Sequence, residues 1–302
     1  MLGICGLCLN DADLQNGHIV SNFFDRRLRL DSGTPFMRGS DPNRRVQSGP
    51  KMYLLCRFCE GLFSAAEDEF AQTVYHPTLD GGRFEIVWTR GHARFVASLT
   101  WRNIVNTMRE HAGPIEGIWS PADWSALESA ELRLRHYLLG QAAYPRDIEH
   151  HVFVTDASAQ TEHDGVNTFL NMAITMGMPA TEHSVYSMIT VPGMVFFALL
   201  NPTDECREMW LKGTLVVPGG TFRNYSQIIE DGHAGYYIVQ SGKRFVEQRA
   251  QISEKQRAVL LEAAAKYRAS GSKPSERIAR AGIQDHRNRE VGHRTGDVAD
   301  ER

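Results

Sequence analysis

Two Cys-x-x-Cys pairs, Cys5-Gly-Leu-Cys8 and Cys56-Arg-Phe-Cys59, restrict the folding of this chain more than any other feature in it. Four thiolates presented by two knuckles are the donor set of a closed tetrahedral zinc site. Four of the five cysteines fall in these pairs. A redox pair needs one Cys-x-x-Cys beside a βαβ unit, and nothing here alternates in that way. The pattern predicts a structural zinc ion on Cys5, Cys8, Cys56 and Cys59. The pairs lie 47 residues apart, whereas compact zinc ribbons separate theirs by about 15–20. The insert therefore carries more than a turn, and its contents are a histidine and a basic loop.

With four cysteines filling the metal, His18 is left for chemistry or for packing. Between Ile19 and Arg57 there are eight basic residues against three acidic ones, although the whole chain has a net charge of -3. Such a local surplus suits a phosphate backbone, because each contact releases condensed counterions. The plain alternative is a solvated loop. The 302 residues suffice for two domains, and a composition 42% hydrophobic and 23% charged excludes a wholly disordered chain. No apolar run is long enough for a membrane span, and no signal segment opens the chain. Together with paired cysteines this predicts a cytoplasmic protein.

Along the chain, Cys5 to Cys8 forms the first knuckle, and His18-Ile-Val20 begins an apolar run read as a short strand ending in Phe23-Phe24. A long loop with turn clusters follows, and Lys51 to Leu55 leads as a strand into the second knuckle. The pattern then turns helical and ends at Pro77. Its start has two readings: a capping box at Ser64-Ala-Ala-Glu67 begins the helix near Ala65, or the helix begins at the knuckle and holds Glu60 in its first turn. Residues 83–88 read as a strand, and Phe95 to Met108 and Pro121 to Leu139 as amphipathic helices. From about Asp147, four strands are expected, over His151–Thr155, Tyr186–Val191, Met194–Leu200 and Gly213–Val217. A helix over Ser253–Arg268 with Ser253 as cap follows. The apolar-poor tail after Ala269 reads as disordered, or as ordered only by a partner.

Two cysteine knuckles enclosing a His-Ile-Val segment, with a helix after the second, resemble the zinc-containing branch of the HNH nucleases, the ββα-metal or His-Me finger family. The resemblance covers residues 1–75. It implies a histidine general base on the first strand, a helix residue binding one catalytic divalent ion, and a middle residue, often Asn, that orients the histidine. On this chain those roles fall on His18, on Glu60 and on Asn43, with Glu67 and Asp68 as alternates to Glu60. A carboxylate is a hard ligand suited to Mg or Mn. The family motif usually reads Asp-His-Ile, and here Gly17 replaces the Asp. The phrase running from the second knuckle to Glu67 also resembles a group of uncharacterised bacterial HNH-like proteins. Arg44, Arg45 and Lys51 are the expected phosphate contacts.

The expected fold is α+β: a zinc-stabilised HNH-like, treble-clef-like nuclease domain over 1–80, an α+β regulatory or partner-binding domain over 81–268 with a helical middle section, a β-sheet and a terminal helix, and a disordered tail over 269–302. The expected function is metal-dependent hydrolysis of DNA or RNA. Restraint would come from a protein partner, as in bacterial anti-phage defence effectors associated with short Argonaute proteins, or from homo-oligomerisation. The alternative is a zinc-finger module that binds nucleic acid without cutting it.

Overall fold

The computed structural model describes residues 1–34, 37–39, 41–81, 84–155, 163–210, 214–224, 232–271 and 275–296. The fold is mixed α and β. Strands β1 (Leu2–Ile4) and β2 (Asp11–His18) lead to helix α1 (Asn22–Ser32), and the short strands β3 (Met37–Arg38) and β4 (Arg45–Val46) precede β5 (Lys51–Cys56). Helix α2 (Arg57–Phe70) continues through a π-helical turn at Ala71–Tyr75 into α3 (His76–Asp80). Next come β6 (Glu85–Val87), α4 (Arg90–Glu110), α5 (Pro121–Leu138), β7 (Ile148–Val154), α6 (Val166–Met172), β8 (Thr175–Gly177), β9 (Val185–Val191), β10 (Met194–Leu200), α7 (Asp204–Trp210) and β11 (Thr221–Arg223). Helices α8 (Gly232–Ala250), α9 (Glu254–Ala269) and α10 (Glu276–Gly296) close the chain.

An antiparallel sheet ordered β1-β2-β5 carries the cysteine knuckles, and a second ordered β7-β10-β9-β8 forms the other layer. Helix α2 packs on the first sheet, and α4 packs against α2 and against β8, β9 and β10 of the second. The α4 residues from Phe95 to Thr107 are all buried, as expected of a helix that is covered on every side. One apolar cluster joins Cys5, Leu54, Cys56 and Cys59 of the knuckles to Trp101 and Ile104 of α4 and to Ile148 and Leu200 of the second sheet. A second joins Phe23 and Phe24 of α1 to Phe70, Phe95, Ile189 and Phe196. Both clusters cross the boundary expected at residue 80. Among the described residues the N-terminal module shares both clusters with α4, through Trp101 and Ile104 in one and Phe95 in the other.

Several local expectations change. The run after His18 is not a strand: β2 ends at His18, and Phe23 and Phe24 lie in α1, where both are buried. Their aromatic faces are covered by Tyr75 and Phe95, so tertiary burial overrides a weak β propensity. Helix α2 starts at the knuckle, with the Cys56 thiol accepting from Cys59 N at 3.5 Å as its cap. The capping box at Ser64 is not used, because those residues are already in mid-helix. Pro77 does not stop the helix; it follows the π-helical turn at Ala71–Tyr75 and lies in the first turn of α3. Of the strand expected over Gly213–Val217, Gly213 lies outside the described residues, and Leu215 forms an isolated bridge to His151.

The tail expected to be disordered contains α10. Its buried Arg277 bonds Asp31 at 2.5 Å and Asn171 Oδ1 at 2.6 Å. Buried Asp285 accepts from Thr168 N at 2.8 Å and from Asn167 Nδ2 at 2.9 Å. Apolar content alone misses this segment because it is held by charged groups with matched partners. No helix among the described residues is long and apolar enough to cross a membrane.

Candidate functional site

The four knuckle cysteines converge as their spacing requires. Their sulfur atoms all lie within 4.8 Å of one another, and Cys5, Cys56 and Cys59 are buried. Cys56 N donates to the Cys5 sulfur at 3.3 Å. Burial works against the Cys5 thiolate, but backbone N–H donors of Cys8, Cys56 and Leu7 bring its pKa down to about 7. Burial and the neighbouring sulfurs push the Cys59 thiol up. Four crowded soft donors with N–H groups aimed at sulfur fit a structural dication such as zinc, whose charge removes the repulsion among them. Among the described residues, no second group of three metal-ligating side chains comes this close together.

His18 closes β2 opposite Lys51 of β5. Its side chain is 20% exposed, and Nε2 lies 3.8 Å from Oδ2 of Asp25 on α1. Asp25 is fully buried and accepts from Gly49 N at 2.6 Å. Among the described residues, His18 Nε2, Ser21 Oγ and Asp25 Oδ1 are buried without a hydrogen-bond partner. Burial lowers the His18 pKa, as does Lys51, while Asp25 and Glu67 work in the opposite direction. The ring is therefore neutral near pH 7 and can accept a proton.

Glu60 lies in the first turn of α2 and reaches the backbone of the residue before His18. A side chain built at Gly17 would collide with its Oε1. Desolvation raises the Glu60 pKa, Arg102 lowers it and Glu67 raises it. Arg102 comes from α4, is 3% exposed, donates to Glu67 Oε1 at 2.8 Å and sits 4.9 Å above the Phe63 ring. Its buried guanidinium offsets the two α2 carboxylates, which lie two turns apart on one face.

The structure thus places Glu60 against Gly17, the residue before His18, while the charges that act on the His18 ring are those of Lys51, Asp25, Glu67 and Arg102. Asp68 is exposed. Asn43 is placed elsewhere. Its Nδ2 donates to the Gln251 carbonyl at 3.2 Å and its Oδ1 accepts from Ser253 N at 2.8 Å. The amide that the resemblance assigns to orienting the histidine holds the α8–α9 junction instead, and the group facing the His18 ring is Asp25. Arg44 and Arg45 are exposed on the insert loop. Sequence reasoning missed Asp25 and Arg102. Asp25 is hidden in a charged run that reads as a solvated loop, and only the fold of α1 turns it inward. Arg102 had one signal, a lone cation at a core position of a long helix.

No protein family, no curated protein and no solved structure matches the chain.

Proposed function

We propose that this protein is a metal-dependent HNH-like endonuclease that hydrolyses phosphodiester bonds of DNA or RNA. The observation that carries the reading is the Glu60 carboxylate lying against Gly17, in the space that a side chain at that position would take. The chain has no Asp before its histidine, and α2 delivers a carboxylate to the same place. A hard divalent ion such as Mg or Mn on Glu60 would stabilise charge on the phosphate and on the leaving oxygen.

The chain's own groups then have distinct tasks. Neutral His18 takes a proton from the attacking water. The buried Asp25 carboxylate stabilises the imidazolium that results, the charge state that the site otherwise disfavours. Arg102 keeps Glu67 and Glu60 from repelling one another. Lys51, Arg44 and Arg45 hold the strand by its phosphates without reading sequence. Restraint of such an activity by a partner protein, of the short-Argonaute kind, or by self-association belongs to the same proposal. Size-exclusion chromatography alone and with candidate partners tests that part, and an inert monomer throughout would count against it.

The competing reading is a zinc-frame binding module without catalysis, and Gly17 in place of a metal-holding Asp is what favours it. Supercoiled plasmid and single-stranded RNA incubated with Mg or Mn separate the two. Cleavage should fall by about 100-fold or more in His18→Ala and should also be lost in Glu60→Gln. Binding without cleavage by the wild type would support the module, and equal cleavage by wild type and His18→Ala would end the catalytic assignment.

A further inference from the structure

The last part of the chain returns to the N-terminal module and grips the insert between the cysteine pairs. At the start of α9, Ser253 N and the Gln251 carbonyl close on the Asn43 amide, and the Gln256 carbonyl accepts from Arg38 at 3.4 Å. At its far end the Tyr267 hydroxyl donates to the Leu30 carbonyl at 3.1 Å. The Tyr267 ring lies on Gly33, whose φ of +67° and lack of a side chain both admit it.

Although α9 is tied at both ends, none of its described side chains is buried, and Leu261 is 64% exposed. Helix α10 differs, since it buries Arg277, Ala281 and Asp285. A helix held by polar contacts with no buried residue opens at lower free energy than its surroundings. The loop it holds carries Arg38, Asn43, Arg44 and Arg45.

We infer that α9 is a releasable strap on the basic loop, displaced when nucleic acid binds. Closed, it engages Arg38 and Asn43 through neutral backbone groups. Opening releases Asn43 and the Arg38 Nη2, while Arg38 Nη1 keeps the Pro42 carbonyl at 2.5 Å, and the released groups join Arg44 and Arg45 on a phosphate backbone, whose anionic oxygens are stronger acceptors for guanidinium than a peptide carbonyl. The inference rests on the nucleic-acid reading of the loop but not on catalysis. Since the exchange involves phosphate rather than bases, the strap responds to backbone charge and to salt, not to sequence.

The test compares the full chain with the variant Ser253→Pro/Tyr267→Phe, which removes one donor at each end of α9, together with the Ser253 hydroxyl that caps Gln256 N, and leaves α10 untouched. A labelled random-sequence 20-mer duplex is titrated without added Mg or Mn, so that no cleavage intervenes. Each lost bond shifts the open–closed balance by about fivefold, so the variant should bind at least about fivefold more tightly. Hydrogen exchange should show the duplex slowing exchange over 41–51 and speeding it over 254–269. Equal or weaker binding by a variant with an unchanged unfolding midpoint, or duplex-induced protection of 254–269, would overturn the strap and leave the loop reading standing. Absence of binding by both proteins would overturn the loop reading and the strap together.

Discussion

Glu60 and Gly17 are complementary: the carboxylate of one stands where the side chain of the other would begin. A side chain at position 17 would displace the carboxylate that α2, capped by Cys56, brings across the end of β2 from its first turn. A swap of side chains tests whether the two positions share one task. Glu60→Ala should abolish Mn-dependent cleavage, and Gly17→Asp alone should push the Glu60 carboxylate aside and reduce cleavage while leaving the fold intact. The double variant Gly17→Asp/Glu60→Ala should regain measurable cleavage and Mn binding. Equal inactivity of the double and single variants, with the double variant folded, would show that the position serves packing only.

The pairing of His18 with Asp25 makes a prediction about proton affinity. Asp25 favours the charged ring against burial and Lys51, so Asp25→Asn should lower the His18 pKa further. Imidazole signals followed by NMR should show the midpoint moving to lower pH. The acid limb of any cleavage profile should move the same way, with a lower plateau rate. An unmoved His18 midpoint would mean that the 3.8 Å approach carries no coupling.

Acid should unfold this protein through its buried histidines. His150 is pushed down to about 3 by burial and by His151, and burial lowers His92 and His151 as well. The unfolded chain binds these protons below its ordinary value of about 6.5 while the folded chain does not, so stability falls as pH drops below 6.5. For His150 the fall continues to about pH 3. Each such group contributes up to about 1.4 kcal/mol per pH unit in its window. Asp25 and Glu60, raised by burial, oppose this within their own lower range. Urea unfolding at pH 7, 6 and 5 should give a falling stability, and a flat or rising one would contradict the burial assigned to these rings.

Metal removal should reach well beyond the knuckles. Cys5, Cys56 and Cys59 belong to the apolar cluster that includes Trp101, Leu134 and Leu200. Cys56→Ser keeps a capping oxygen for α2 but loses a soft ligand. We expect about one zinc per chain in the wild type, less in the variant, and a cost of several kcal/mol. Near-ultraviolet dichroism of the core tryptophans should change along with metal content. Full zinc occupancy in Cys56→Ser would argue against a four-thiolate centre.

Much of the frame was legible in the residues themselves. The two Cys-x-x-Cys pairs named four atoms that do meet, because knuckle geometry is local. The apolar periods placed α4, α5, β9 and β10 within a few residues, because a buried face must repeat with its element. The partner of His18 was not legible. Asn43 was the natural candidate by residue type, but its amide faces Gln251 and Ser253, more than two hundred positions away in the chain.

The sequence alone determined the metal frame and most elements, since each depends on neighbours within a turn or two. Only tertiary structure decided that α4 contributes to both apolar clusters, that Asp25 is turned inward under His18, that Arg102 reaches Glu67 of α2, and that Arg277 and Asp285 tie α10 down. Those are charges, and a charged residue reads as solvent-facing until a distant partner makes its burial affordable.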